Sequence, residues 1–178
     1  VGAAAPFELL LEIAASARSG TEVAEARLRG QPHWSGVGFS VLGQRLVAPM
    51  GTVTEILMVP PLTRLPRVQP WVRGVANVRG RLLPVIGLAS FLGGRPTPAW
   101  REHRVLVLGN AEFDCGIVVD EVHGLKHFTD ETFCRGADGA TAGLASYVEG
   151  IYAGADGDWA VFRPDALVGD VRFLDAAL

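Results

Sequence analysis

The spacing of apolar residues along the chain changes its period near residue 34. Before that point, Gly20 and Gly30 divide two apolar runs in which the spacing of three and four residues is typical of one face of a helix. Pro6 suits a first helical turn, and glycine commonly ends a helix. We therefore predict a helical extension over residues 1–32. Its apolar face consists of Phe7, Leu10, Leu11, Ala14 and Ala17.

From Trp34 onward the chain breaks into short β-prone runs that Gly and Pro separate, a pattern typical of small barrels and sandwiches. The breaks at 42–44 and 79–81 indicate hairpin turns, because glycine can adopt positive φ there. Short helices are expected at 50–55, 88–92 and 164–168. Ten strands are too many for one five-stranded barrel, so we predict two linked barrels. The strands are predicted at 37–42, 45–48, 56–59, 74–78, 82–86, 104–108, 113–120, 123–127, 148–153 and 159–163.

Composition places the chain among folded proteins without a membrane span. Of its 178 residues 49% are apolar and 20% are charged, and no apolar run reaches the ~18 residues of a transmembrane helix. The segment 3–17 could be mistaken for a signal peptide, but Glu8 and Glu12 interrupt it and no basic residue precedes it. We expect a cytoplasmic protein in which Cys115 and Cys134 are free thiols.

Charge is strongly segregated along the chain. The net charge of −3 conceals a segment, 56–101, that holds seven arginines and no acidic residue. From residue 102 to the end, fourteen acidic residues face five basic ones. This polarity predicts that separate surfaces of the protein carry opposite charge.

No arrangement of residues in the sequence supports catalysis or metal binding. His123 and His127 would share a face only on a helix, and Gly124 within a Val-rich β pattern argues against one. The segment 156–158 lacks the distal Glu of a calcium loop. Cys115, Ser90 and Ser146 lie in no nucleophile signature, and no phosphate-binding glycine loop is present. We predict a non-enzyme that has no catalytic residue, no cofactor and no metal.

The arginine-rich segment leaves nucleic-acid binding open as an alternative function. Its guanidinium groups could neutralise phosphates, and Trp71 could stack on a base. The acidic C-terminal half would repel such a polyanion, so a protein partner is favoured. The arginines concerned are Arg64, Arg67, Arg73, Arg79, Arg81, Arg95 and Arg101.

An ordered set of motifs provides a more specific indication of function. The segment 71–93, WVRGVANVRGRLLPVIGLASFLG, matches the pattern G-[VI]-x-N-x-R-G-x-[IL]-x-P-V-[IV]-x-L. It follows PMGTVTEIL at 49–57 and precedes GIVVDEV at 116–122 and EGI at 149–151. Together these motifs resemble the CheW family over about residues 34–170. Gly87 departs from the Asp that most members carry, which puts in doubt the hydrogen bond made by that Asp.

This resemblance implies a mainly β fold of two packed, five-stranded, SH3-like barrel subdomains. It implies one CheW-like domain over 33–178, which follows the helical extension. Subdomain 1 would run from about 46 to 103, and subdomain 2 would combine about 34–45 with 104–165. A short helix over 166–178 would end the chain.

The resemblance also implies an adaptor that joins the cytoplasmic tip of a chemoreceptor to the CheW-like domain of a CheA-like histidine kinase. The N-terminal helix and the ending ALVGDVRFLD further resemble the branch of the family that serves type IV pilus twitching motility. Other CheW-like modules could join such a protein in rings. No nucleic acid is implied, and membrane association would be indirect, through the receptor.

Motif matching assigns receptor contact to residues near one turn and one strand. Arg79 can reach carboxylates or carbonyls of a helical hairpin. Two alternatives stay open: Asn77 and Gly80 could only build the turn, and Glu55 could only pair with an internal arginine. The residues assigned to the receptor are Val53, Glu55, Asn77, Arg79, Gly80 and Val122.

The charge polarity further assigns Arg64 and Arg67 to kinase binding or head-to-tail assembly. A contact between two different faces closes into a ring or continues as a filament, which suits a protein that alternates with kinase domains. Pairing of the opposite charges within one molecule is the alternative.

Overall fold

The protein was studied as a computed structural model. The structure describes residues 33–98, 102–109, 114–137, 140–141, 143–154 and 157–178. The predicted helical extension over 1–32 lies outside these residues. No helix in the described ranges is long and apolar enough to cross a membrane.

Eleven strands of the described chain form two sheets, one with six strands and one with five. The six-stranded sheet has the order β8-β1-β2-β11-β10-β9, and the five-stranded sheet has the order β3-β6-β7-β5-β4. The strands are β1 His33–Val41, β2 Gln44–Pro49, β3 Val53–Met58, β4 Val72–Val78, β5 Arg81–Gly87, β6 Arg104–Gly109, β7 Asp114–Val119, β8 Glu121–Thr129, β9 Phe133–Arg135, β10 Val148–Tyr152 and β11 Trp159–Phe162.

Short helices lie at the ends of these strands. They are α1 Leu88–Phe91, α2 Pro164–Val168 and α3 Val171–Leu174, with 3₁₀ turns at Asp130–Thr132 and Ala145–Tyr147. The helices predicted at 88–92 and 164–168 are confirmed, and Pro164 stands at the first position of α2, where its missing N–H costs nothing. All ten predicted strands are present.

Both predicted hairpin turns are confirmed and share one geometry. Leu42 and Gly43 have φ of 54° and 75°, and Arg79 and Gly80 have φ of 51° and 80°. Two consecutive residues with positive φ define the type I′ turn, whose twist matches that of the flanking strands. Each turn therefore sets the register of its hairpin, β1 with β2 and β4 with β5.

The two sheets pack on one shared core. Phe39 and Phe162 of the six-stranded sheet meet edge to face, with ring centroids 5.6 Å apart. Leu106 and Ile117 of the five-stranded sheet are fully buried in the same cluster. Burial of one such side chain stabilises a fold by about 1.5–3 kcal/mol. The sheets therefore form one cooperative unit rather than two independent ones.

Two local predictions were wrong. Residues 50–55 form a turn and the start of β3 rather than a helix, because Gly51 has φ 86° and the Thr52 hydroxyl donates to the Pro49 carbonyl. β9 was not predicted, so one sheet has six strands where five were expected. This strand has three residues and pairs with β10, and so short a segment shows no alternating pattern in the sequence.

The predicted division into subdomains places several strands in the wrong sheet. Arg104–Gly109 and Asp114–Val119 belong to the five-stranded sheet, where they pair with each other and with β3 and β5. Gln44–Pro49 belongs to the six-stranded sheet. A single helix over 166–178 is also wrong: α2 and α3 are separate, and Ala177 then bridges to Val68 in an extended conformation.

Candidate functional site

The turn between β4 and β5 is built by the residues that the motif singles out. The Asn77 side-chain oxygen accepts a hydrogen bond of 2.9 Å from the Gly80 N–H, which satisfies a backbone donor within the turn. A Cβ atom at Gly80 would meet no atom within 4 Å, so a larger side chain would fit. Glycine is favoured at this position because its φ is positive. Asn77 and Gly80 therefore contribute to the turn itself.

Arg79 extends from this turn to Glu55 on β3. Its Nη1 donates to Glu55 Oε1 over 3.2 Å, with 78% of the Arg79 side chain and 32% of the Glu55 side chain exposed. The other carboxylate oxygen, Glu55 Oε2, is buried and has no hydrogen-bond partner among the described residues. An unsatisfied buried acceptor costs about 1–3 kcal/mol, so the ion pair of Glu55 is partly offset within the protein itself.

These residues line a groove of about 560 Å³. On another part of its wall Arg81 makes an ion pair with Asp114. Leu82 contributes an apolar side chain that is 77% exposed. We call this surface the hairpin groove, and its principal residues are Thr54, Glu55, Arg79, Arg81, Leu82 and Asp114. It combines an exposed apolar side chain with two ion pairs.

Two residues assigned to the receptor lie away from this groove. Val53 pairs with Leu108 at the start of β3, and its half-buried side chain packs against the shared core. Val122 lies on β8, opposite Phe39 in the six-stranded sheet, and also packs against the core. The structure thus brings Glu55 and Arg79 together and places Val53 and Val122 in supporting positions.

Arg64 and Arg67 lie in the segment between β3 and β4, but they differ in surroundings. Arg64 lines an open groove of about 470 Å³ whose walls include Pro60, Pro61 and Pro70. Arg67 has φ 53°, and its carbonyl accepts a hydrogen bond of 3.0 Å from the Leu178 N–H. Both side chains are exposed, whereas the backbone of Arg67 also holds the end of the chain.

The structure argues against Trp71 as a platform for a base. One face of its ring stacks on Phe173, with centroids 5.9 Å apart and planes at 10°, and Phe91 packs edge-on at 5.3 Å. Two arginines of the basic segment are neutralised as well, since Arg79 and Arg81 pair with carboxylates. The nucleic-acid alternative loses the stacking group and part of the charge on which it depended.

The cysteine and histidines considered for catalysis and metal binding are engaged in the packing and hydrogen bonds of the fold. Cys115 is fully buried, and burial raises the pKa of its thiol to about 12, so it stays protonated at neutral pH. His127 Nδ1 lies 2.7 Å from the Ser35 hydroxyl, and His123 packs against Trp159. Within the described residues, no group of three or more potential ligands could hold a metal ion.

Comparison with known proteins agrees with the motif pattern. A family model described as the CheW-like domain matches residues 35–172. The chain is 41% identical over 173 residues to Protein PilI of Pseudomonas aeruginosa, covering 97% of each. It is 32% identical over 95 residues to a probable chemotaxis protein CheW of Rhizobium etli, covering 53% of this chain and 61% of that relative.

The chain belongs to the CheW-like domain family. Its fold is similar to that of the scaffolding protein TtCheW from Thermoanaerobacter tengcongensis, with a TM-score of 0.66 and 21% identity over 74% of this chain and 90% of that one. The CheW-like match begins within β1 and ends within α3. The likeness to PilI extends beyond it into the N-terminal segment.

Sequence reasoning missed part of the groove of this CheW-like protein. Leu82 was assigned only to a strand, and the ion pair of Arg81 with Asp114 was not foreseen. A signal for Leu82 was present, because it follows the turn and lies next to Leu83, which faces the core. Alternation along a strand places such a neighbour on the outer face. No local pattern could have paired Arg81 with a residue on another strand.

Proposed function

We propose that this protein is a non-catalytic adaptor that couples the cytoplasmic tip of a chemoreceptor to a CheA-like histidine kinase. Membership in the CheW-like family supports a scaffold role. The likeness to PilI over almost the whole chain, with the resemblance to type IV pilus systems, supports a place in the control of twitching motility. The protein would work in the cytoplasm and reach membrane-associated arrays through the receptor.

The ion pair of Arg79 with Glu55 carries the assignment of receptor binding to the hairpin groove. Arg79 keeps hydrogen-bonding capacity for a partner, because its side chain is 78% exposed and Nη1 alone bonds to Glu55. A helical receptor tip can supply carboxylates and carbonyls as acceptors. Leu82 adds an exposed apolar side chain, which a partner could cover.

Kinase binding is assigned to the exposed arginines beside the proline-lined groove. Arg64 and Arg67 belong to the segment without acidic residues, and carboxylates of a partner would complement them. Such charge chiefly speeds encounter and rejects wrong orientations. Receptor and kinase would then occupy separate surfaces, as a coupling protein requires.

Exchange of the two charges in the hairpin groove tests the receptor site. We expect Arg79→Glu and Glu55→Arg each to weaken receptor binding by about 2–5 kcal/mol, the scale of one lost charged contact at an interface. The double variant restores an ion pair of opposite polarity, so its melting temperature should return toward that of the original protein. Its receptor affinity should stay low. Co-purification with receptor and kinase, followed by titration calorimetry, measures this.

The exchange also separates the proposed role from its alternative. If the double variant regains receptor binding, the pair serves only the internal structure of the protein. Arg135→Glu is the matched control, because Arg135 is also an exposed arginine in an ion pair, with Glu149 on the six-stranded sheet. That control should bind the receptor normally. Folded single variants with unchanged affinity would contradict the receptor assignment.

A further inference from the structure

A small cavity of about 130 Å³, apart from the hairpin groove, includes in its lining Asp120, the residue between β7 of one sheet and β8 of the other. Its polar walls are formed by Arg73, Ser90, Thr97, His103 and Asp120, and the remaining walls are mainly apolar. This volume is far below the roughly 300–1,000 Å³ of pockets for drug-sized ligands, so only a molecule of a few heavy atoms would fit. We call it the junction cavity.

The lining of the junction cavity includes hydrogen-bond donors that have no partner among the described residues. The side chain of Arg73 makes no ion pair or hydrogen bond with any of those residues, and neither does the hydroxyl of Ser90. Gly87 opens the space between them: a Cβ at this position would lie 3.3 Å from Arg73 Cδ and 3.5 Å from Ser90 Oγ. The exposed side chain of Arg73 and the hydroxyl of Ser90 therefore both border this volume.

The lining also includes a carboxylate whose hydrogen bonds are already supplied. Asp120 Oδ2 accepts from the Leu42 N–H over 2.9 Å, and Oδ1 accepts from the Thr97 hydroxyl over 3.2 Å. His103, only 7% exposed, lies 3.0 Å from the Thr97 hydroxyl and 3.7 Å from Asp120 Oδ1. Asp120 is therefore engaged by its neighbours, whereas the side chain of Arg73 has no partner in the described part of the chain.

We propose that the junction cavity binds the carboxylate group of a small organic acid. Arg73 would provide the charge and a bidentate pair of donors, and Ser90 would provide a further donor. The apolar walls, which include Val59 and Val118, would take a short hydrocarbon part. Arg73 also lines the proline-lined groove assigned to kinase binding, but acetate binding to the free protein is measured without receptor or kinase, so its failure would leave the proposed function untouched.

Occupancy would stabilise the junction between the sheets. Asp120 connects them, because its N–H donates to the Ser40 carbonyl of β1 and it directly follows β7. Thr97 and His103 hold Asp120 from the segment that precedes β6. A ligand that binds the folded state raises its stability in proportion to the logarithm of ligand concentration.

Acetate is the probe for the first test. We expect sodium acetate, against sodium chloride at equal ionic strength, to shift the amide NMR signals of Gly87, Ser90 and Thr97 of the full chain with saturation. The melting temperature should rise over the same range. A short blocked peptide with a single Asp is titrated in parallel. Tighter binding of that peptide would identify a protein side chain, rather than a free acid, as the source of the carboxylate.

Substitutions test whether Arg73 is the residue that binds acetate. Arg73→Gln should weaken acetate binding about tenfold or more, the scale of losing one charge-assisted hydrogen bond. Arg163→Gln is the matched control, because Arg163 is an exposed arginine that lines neither this cavity nor the hairpin groove. It should respond to acetate as the original protein does.

A substitution that fills the cavity gives an independent result. Gly87 has φ −81° and ψ 100°, which other residues adopt readily, so Gly87→Asp can place a carboxylate beside Arg73. We expect this variant to melt higher than Gly87→Asn and to lose the acetate response. The proposal is overturned if the signals shift without saturation, or if Arg73→Gln and Arg163→Gln respond alike. That comparison decides the question even if the Gly87 variants do not fold.

Discussion

Arg79 combines a left-handed backbone conformation with a side chain that makes an exposed ion pair. Its φ of 51° lies in the left-handed region, which costs a residue with a Cβ roughly 1–2 kcal/mol. Its side chain makes an ion pair in which it is 78% exposed, and exposed pairs contribute about 0–1 kcal/mol. The residue is therefore unfavourable or neutral for stability, which is consistent with a role in binding.

Replacement of Arg79 by asparagine should separate stability from binding. Asn-Gly is the preferred pair in a type I′ turn, so we expect Arg79→Asn to raise the free energy of unfolding by about 0.5–1 kcal/mol. Receptor binding should fall, because the guanidinium is lost. Denaturant unfolding and receptor titration measure the two effects. A variant that is less stable than the original protein would show that the ion pair with Glu55 matters more than the backbone strain.

The C-terminal helix α3 is held to the core by a cluster of three polar side chains. Tyr147, only 2% exposed, donates its hydroxyl hydrogen bond to Asp170, and Arg172 lies 2.7 Å from the same hydroxyl. Asp170 also accepts from the Arg172 backbone N–H at the start of α3. The side-chain hydrogen bond from Arg172 and, second in importance, the one from Tyr147 hold the pKa of Asp170 well below its usual range. This cluster joins α3 to the segment before β10.

Asp170→Asn should destabilise the protein at neutral pH and matter less in acid. Because the pKa of Asp170 is lower in the folded state, its contribution is present above the ordinary Asp pKa of about 3.9 and is lost as the pH falls further. The difference in melting temperature between variant and original should therefore shrink below about pH 4. Asp175→Asn, an exposed substitution at the end of α3, is the control. A difference independent of pH would contradict the ionic role.

Across the whole molecule, the two sheets depend on each other through the core that they share. The buried side chains of this core come from residues 33–178, among them Phe39, Leu106 and Phe162. The basic segment 56–101 contributes β4 and β5 to one sheet, whereas the acidic β8–β10 region belongs to the other. Charge segregation in the sequence is carried into the architecture only in part, because β6 and β7 of the acidic half lie in the five-stranded sheet, where Asp114 pairs with Arg81.

Deletion of residues 1–30 should leave a folded β domain. The shared core within the described residues is large and is drawn from both sheets, so we expect cooperative thermal unfolding to persist. The extension would then serve docking or specificity. Circular dichroism melting of the truncated protein measures this. Loss of a cooperative transition would show instead that Phe7, Leu10 and Leu11 complete the main core.

Reversal of charge at Arg64 and Arg67 should slow assembly without loss of stability. Both side chains are exposed. At position 67, where φ is 53°, glutamate bears the same cost of a left-handed backbone conformation as arginine, so stability should not change. We expect slower association with the CheW-like domain of the kinase and a flatter dependence on salt. Stopped-flow kinetics measure both, with Arg163→Glu as control. Unchanged on-rate and salt dependence would show that the segregated charge does not direct assembly.

The sequence by itself determined the local structure of this protein. Ten of the eleven described strands, two hairpin turns and the helices at 88 and 164 follow from alternation, glycine and proline, which act over a few neighbouring residues. The order of motifs also determined the family, and with it the turn built by Asn77 and Gly80. Leu83, Val85 and Ile86 lie in the strand predicted at 82–86 and are buried.

Only the tertiary structure decided which strands share a sheet and which charges meet. The parallel pairs β5 with β7 and β2 with β11 join segments far apart in sequence, so no local pattern encodes them. The same holds for Glu55 with Arg79, for Arg81 with Asp114, and for the cavity around Arg73. Such contacts form because burial of the common core selects one register among distant segments, and side chains that the sequence separates are then brought together.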